Sequence, residues 1–269
     1  MPGNRLRILF LGDVFGKPGR KCLESGLASV KEQNTIDICV VNGENAAGGN
    51  GITPKTADRI FGAGADIITT GDHVWDRSEI EGYLDAHPYL VRPQNYVQDA
   101  PGKGTAVWEI AGGSTLGVIN LIGRVFMKPS DSPFSAAEKA CEELSSCSAV
   151  IVDFHAEATS EKIAMGKFLD GRVSAVLGTH THVQTSDACI LPGGTAYMTD
   201  VGMTGASDSV IGLNSEEVLT NYRYQIKRRF KPASDGLRME GVIVDVDTET
   251  GKAQSIAPVR ESCGEDAAV

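Results

Sequence analysis

The chain has 269 residues, 41% of them hydrophobic and 22% charged, with a formal net charge of −10. This suits one ordinary domain with a sizeable core; no apolar run approaches the roughly 20 residues of a membrane span, and the acidic balance argues against long nucleic acid, whose binding relies on lysine and arginine releasing phosphate counterions. Six cysteines (Cys22, Cys39, Cys141, Cys147, Cys189, Cys263) without a CxxC pair suggest neither a thiolate zinc site nor a disulfide framework, and Met1 to Arg7 lacks a signal-peptide pattern, so a cytoplasmic protein is expected.

Arg7–Leu11 reads as a short strand, Arg20–Gln33 as an amphipathic helix and Ile38–Asn42 as the next strand. Thr53-Pro54 has the form of an N-cap with proline at the first helical position, opening a helix to about Phe61, and Ile67–Thr70 follows as a strand. Further strands are predicted at Thr105–Glu109, Leu116–Leu121, Ala149–Phe154, Ala175–Gly178, Cys189–Leu191, Ala196–Thr199 and Gly241–Asp247, with helices at Ser135–Leu144 and Glu161–Leu169. Such alternation is the grammar of an α/β fold. Asn214–Phe230 reads as a polar helix ending in Lys227-Arg228-Arg229, either a solvated face or a patch facing substrate or partner. The domain is expected to occupy residues 1–260, with 261–269 as an acidic, frayed tail.

Candidate metal ligands recur just after predicted strands: Asp13, Glu44-Asn45, Asp72-His73, His155, and His180 with His182. Ligands of α/β sheets bind beyond the carboxyl ends of strands, so five such ends would converge on one crevice. Singly, each has a bland reading: Asp13 as a turn or cap aspartate, Glu44-Asn45 as part of a glycine-rich turn, Asp72 as a loop carboxylate. The histidines weigh against that reading, because four of the five sit at these ends and only His87 lies elsewhere. His180 and His182, one residue apart, would point the same way from an extended segment and serve neighbouring metals. Carboxylate, amide and imidazole donors without thiolate suit manganese, iron or zinc. Two such ions about 3.5–4 Å apart would clamp a phosphoryl group and lower the pKa of a bridging water, the chemistry of phosphate-ester hydrolysis.

Gly12-Asp13, Gly43-Glu44-Asn45, Gly71-Asp72-His73, His155 and Gly178-Thr179-His180-Thr181-His182 together resemble the calcineurin-like metallophosphoesterase superfamily, and most nearly its YmdB-like branch. The segments 11–20, 42–49 and 202–205 extend the resemblance over nearly the whole chain. As in that branch, Phe15 replaces a superfamily histidine and Glu44 replaces an aspartate. The resemblance implies a four-layer α/β/β/α sandwich with two mixed sheets and room for a small lid. It also implies two divalent metal ions, iron or manganese before zinc, and phosphodiesterase activity on 2′,3′-cyclic nucleotides. One metal would take Asp13, Glu44, Asn45 and His182, the other Glu44, Asp72, His155 and His180, with Glu44 bridging and His73 as the catalytic acid. Asp72 departs from the family's usual asparagine, and its extra carboxylate lowers the positive charge of the metal pair.

Two other functions compete. A phosphomonoesterase, such as a nucleotidase or protein phosphatase, needs more positive charge for a dianion, for which Arg20, Arg124 and Lys128 are candidates. A metal-binding regulatory protein with vestigial hydrolysis is the other, and the complete ligand set argues against it. The expected partners are a small nucleotide or other phosphoester and, in a homo-oligomer, further copies of the chain.

Overall fold

The computed structural model describes residues 4–110, 112–226 and 228–263. Its strands are β1 (Arg5–Leu11), β2 (Asp13–Val14), β3 (Ile38–Asn42), β4 (Ile67–Thr69), β5 (Thr105–Glu109), β6 (Thr115–Ile122), β7 (Ala149–His155), β8 (Ala175–Thr179), β9 (Cys189–Ile190), β10 (Ala196–Met198), β11 (Met203–Ala206), β12 (Leu237–Asp247) and β13 (Ala253–Ser262). The helices are α1 (Gly16–Gln33), α2 (Pro54–Gly62), α3 (Glu81–Ala86), α4 (Pro133–Glu143), α5 (Thr159–Leu169) and α6 (Ser215–Tyr224).

Strand β1 is apolar on both faces because both are covered. Leu6, Ile8 and Phe10, with Ile38 and Val40 of β3, meet Leu116, Val118, Ile151 and Leu177 of a second sheet in the central core. On the other face, Leu9 and Leu11 pack on Leu23 and Leu27 of α1 and Ile60 of α2. The second sheet repeats the arrangement, with Val152 and Phe154 against Ala137 and Ala140 of α4 and Met165 and Leu169 of α5. Each fully buried leucine or phenylalanine contributes about 1.5–3 kcal/mol relative to exposure. The layers are therefore α/β/β/α, as the resemblance implies.

The first sheet runs β2-β11-β12-β1-β3-β4, with β13 along the other edge of β12; the second runs β5-β6-β7-β8-β10-β9. Both are mixed: β1, β3 and β4 are parallel and β12 is antiparallel to β1, while β6, β7, β8 and β10 are parallel between antiparallel β5 and β9.

Helix α2 starts as predicted, with Thr53 and Thr56 bonded reciprocally in a capping box. Helix α1 starts at Gly16, earlier than Arg20, because proline is tolerated in a first turn and Pro18 falls there. Helix α6 stops at Tyr224, short of Phe230, where Gln225 turns left-handed with φ 56°. Strand β13 includes Glu261 and Ser262 of the expected tail, and 264–269 lie outside the described residues, as does Lys227 of the basic cluster. Among the described residues no helix is long and apolar enough to cross a membrane.

Candidate metal centre

Along the inward faces of the strands the side chains change in steps. Beyond the central apolar core, toward the carboxyl ends, come Asn42, Thr69, Asn120, Asp153 and Thr179, all fully buried. Asp153 accepts from Asn42 Nδ2 at 2.8 Å, Thr69 Oγ1 at 2.5 Å and Thr179 Oγ1 at 2.7 Å, so these bonds tie one sheet to the other. Burial pushes the Asp153 carboxyl up to about 6, against the pull of His155 and these three donors.

One step further lie the candidate ligands. Asp13 opens β2 directly after β1, Glu44-Asn45 follow β3, Asp72-His73 follow β4, His155 ends β7, and His180 and His182 follow β8. Donor atoms of Glu44, Asp72, His155 and His180 all lie within 4.8 Å of one another. His155 Nε2 is 3.2 Å from Glu44 Oε1, 3.4 Å from Asp72 Oδ1 and 3.0 Å from His180 Nδ1. Beside this group, Asp13 Oδ1 is 3.6 Å from His182 Nε2, and Asn45 Nδ2 lies 3.1 Å from His182 Nε2 and 3.0 Å from Glu44 Oε1. Asn45 thus turns its amide nitrogen to this place and its Oδ1 to His73 Nδ1 at 3.1 Å, so ligation through Oδ1 would require a half-turn of the amide that gives up the His73 contact. Gly71 is obligatory here: a Cβ would fall 2.1 Å from Glu44 Oε2 and 2.4 Å from the His155 ring.

The outer nitrogens of three imidazoles are already committed. Thr179 Oγ1 donates to Asp153 and so accepts from His155 Nδ1 at 2.9 Å; the Ile211 carbonyl accepts from His182 Nδ1 at 2.9 Å; and Glu157 Oε2 stands 3.2 Å from His180 Nε2 as an ion-pair partner. The inner nitrogens of the three rings therefore face inward, where Asp13 Oδ1 and Asp72 Oδ1 are buried without a hydrogen-bond partner, and they offer lone pairs to a cation when the rings are neutral. Burial alone would raise the carboxyls, yet the histidines hold Asp13 and Asp72 below the ordinary range and Glu44 well below it. Burial likewise opposes charge on His155, but Glu44, Asp72 and Asp13 hold its pKa well above the usual value. The site requires positive charge, and its donors fit divalent cations.

The histidine pair does not leave β8 in an extended segment: His180 and His182 have φ of 98° and 63°. Such backbones cost about 1–3 kcal/mol each and persist where surroundings over-determine them. Here the support is buried. Lys162 Nζ donates to the Thr179 carbonyl and to Asp200 Oδ2, each at 2.7 Å, and the same Oδ2 accepts from Thr181 N at 3.0 Å and Thr181 Oγ1 at 2.7 Å.

His73 is partly exposed, with Nδ1 3.2 Å from Glu44 Oε1 and 3.1 Å from Asn45 Oδ1. Of the three candidate cations, Lys128 reaches the centre, its Nζ 3.0 Å from the Asp72 carbonyl and 3.8 Å from Asp72 Oδ2. Arg20 instead holds the Ala46 carbonyl, and Arg124 is fixed through its backbone N–H by Glu161. Arg228 and Arg229 are exposed. A cleft of about 330 Å³ opens above the ligands, walled by Phe15, Asn50, His73, Glu157, Ile211 and Leu213. A larger cavity of about 870 Å³ beside Arg92 and Lys139 contains none of the candidate ligands, and Arg92 is occupied by the carbonyls of Pro93, Ala100 and Pro101.

The sequence matches the model of the YmdB-like protein family over residues 9–259. It is 46% identical over 252 residues to a protein of Bacillus subtilis (strain 168) named 2′,3′-cyclic-nucleotide 2′-phosphodiesterase, covering 93% of this chain and 95% of that protein. Among crystal structures, it resembles a hypothetical protein from Thermus thermophilus with TM-score 0.90 and 40% identity, covering 96% and 100% of the two chains. A Mycoplasma pneumoniae protein described as a novel phosphatase gives TM-score 0.91 and 34% identity, covering 98% and 96%.

Proposed function

The chain belongs to the YmdB-like family, and from that premise we propose that it is a metal-dependent phosphodiesterase that hydrolyses 2′,3′-cyclic nucleotides. The observation that carries this reading is the convergence of three inward imidazole nitrogens and two partnerless carboxylate oxygens beneath the floor of a cleft. Asp13, Glu44, Asn45 and His182 would hold one divalent cation, and Glu44, Asp72, His155 and His180 a second. Oxygen and nitrogen donors without thiolate suit iron, manganese or zinc, and the family resemblance puts iron or manganese first. When bound, such a pair supplies a nucleophilic water at neutral pH and a clamp for the phosphate.

The protein residues do the rest. Thr179 and the Ile211 carbonyl keep His155 and His182 in the ligating tautomer, and Glu157 stands beside the outer nitrogen of His180. His73, at the cleft wall, would give a proton to the departing sugar oxygen. Lys128 stands beside the centre while Arg20 is turned to the Ala46 carbonyl, and this single cation suits a diester monoanion better than a monoester dianion. The six cysteines are free, as a reducing compartment preserves them, which supports a cytoplasmic setting.

The test is turnover by protein reconstituted separately with Fe(II), Mn(II) and Zn(II), against 2′,3′-cyclic, 3′,5′-cyclic and 5′-mononucleotides. We expect the 2′,3′-cyclic compounds to be the preferred substrates. Preference for 5′-mononucleotides, or turnover unaffected by metal removal, would sink the reading.

A further inference from the structure

In the cleft wall, Ile211 has a backbone that works against its side chain. Val210 and Leu213 exchange both backbone hydrogen bonds, at 3.0 and 2.9 Å, so Ile211 and Gly212 are the central residues of a two-residue hairpin turn. Their φ values, 48° and 97°, are those of a type I′ turn. That turn selects Asn-Gly, Asp-Gly or Gly-Gly. A β-branched residue at positive φ is an outlier, and this one is not rewarded by full burial, since it is 49% exposed.

Neither neighbour explains the choice. Gly212 is required because a Cβ there would lie 2.6 Å from the Phe15 ring, but that constrains position 212 and not 211. The Ile211 carbonyl orients His182, yet any residue offers a carbonyl. What the side chain of Ile211 supplies, and the usual turn residues would not, is an apolar wall, next to Leu213, in a cleft whose floor is carboxylate, amide and imidazole. A ligand pocket of this kind divides its labour, with polar groups fixing one end of the ligand and apolar walls covering the other.

We propose that Ile211 is a specificity-determining residue whose side chain, with Leu213, contacts the nucleobase of the bound cyclic nucleotide at the expense of the turn's own stability. This rests on the function proposed above. With the phosphate at the ligand layer, the base is the large, weakly hydrated part of the substrate left to be covered.

Replacement by asparagine separates the two effects, because asparagine enters the left-handed region readily and retains the carbonyl to His182. In metal-loaded enzyme, Ile211→Asn should raise Tm by roughly 2–4 °C, the shift that about one kilocalorie of relieved strain gives in a chain of this size. It should raise KM for 2′,3′-cyclic AMP about tenfold, but KM for the base-free methyl riboside 2′,3′-cyclic phosphate by less than about threefold. Ile211→Leu, apolar without the β-branch, should keep KM for 2′,3′-cyclic AMP within about twofold of the parent. Equal shifts on the two substrates, no shift on either, or a lower Tm for Ile211→Asn would overturn the proposal while leaving the phosphodiesterase reading intact. A parent enzyme that cleaves bis(nitrophenyl) phosphate but no cyclic nucleotide would overturn both.

Discussion

His73 spends Nδ1 on Glu44 and Asn45, which leaves Nε2 for the cleft, 3.9 Å from Asp72 Oδ2. The hydrogen bond that His73 donates to Glu44 raises its pKa, burial opposes this, and the charges of Glu44, Asp72 and Asp76 add to the rise, so the ring is more readily protonated than a free imidazole. An alkoxide departs poorly unless protonated, and such general-acid help is worth about 10²–10⁴-fold. His73→Gln should therefore lower kcat by about that factor on cyclic nucleotides, and much less on nitrophenyl diesters, with metal content unchanged. Equal losses on the two substrate classes, or a lost metal, would make His73 an orienting residue instead. The candidate ligands were legible in the sequence because scarce histidines recur at strand ends, and the fold brings Glu44, Asp72, His155 and His180 together. Thr179, Asp153, Glu157 and Ile211 were not, because threonine, acid and isoleucine are common and act here through contacts that only the fold creates.

Two elements meet behind the histidine pair, α5 through Lys162 and the segment after β10 through Asp200. Both side chains are buried, and removing one partner of a buried pair leaves an uncompensated charge that costs about 3–5 kcal/mol. Lys162→Met should lose stability of that order in denaturant unfolding. Lys162→Met with Asp200→Asn should recover most of it yet bind metal about 10–100-fold more weakly, because Thr181 is then held by a neutral amide instead of a carboxylate. Titration calorimetry showing parental metal affinity in the double variant would reduce the pair to a stability device. None of this is visible in the α5 sequence, whose covered face carries Glu161 and Lys162 and so blurs the helical pattern. Strand β13 was hidden for a related reason: it lies on the edge of its sheet and keeps many polar residues exposed.

Across the whole molecule, Asp13, Glu44, Asn45 and Asp72 extend from the first sheet, and His155, His180 and His182 from the second. Cations held between them would bind the folded chain and not the unfolded one. At free metal about a thousandfold above Kd this adds about 4 kcal/mol, a rise in Tm of roughly 8–16 °C. Calorimetric scans with metal and with chelator measure it, and a Tm indifferent to both would count against a centre that joins the sheets. The alternation of strands and helices made an α/β fold legible, but two stacked sheets came only with the family resemblance, because alternation does not say which strands share a sheet. The position of β12 bears on biosynthesis. It lies between β1 and β13, and the Arg7–Asp245 ion pair joins positions 238 residues apart. A nascent chain on the ribosome therefore carries β1 with one bare, aggregation-prone edge until residues 237–247 emerge. Because Asp13 follows directly from β1, the centre that the protein needs for chemistry is among the last parts of it to be finished.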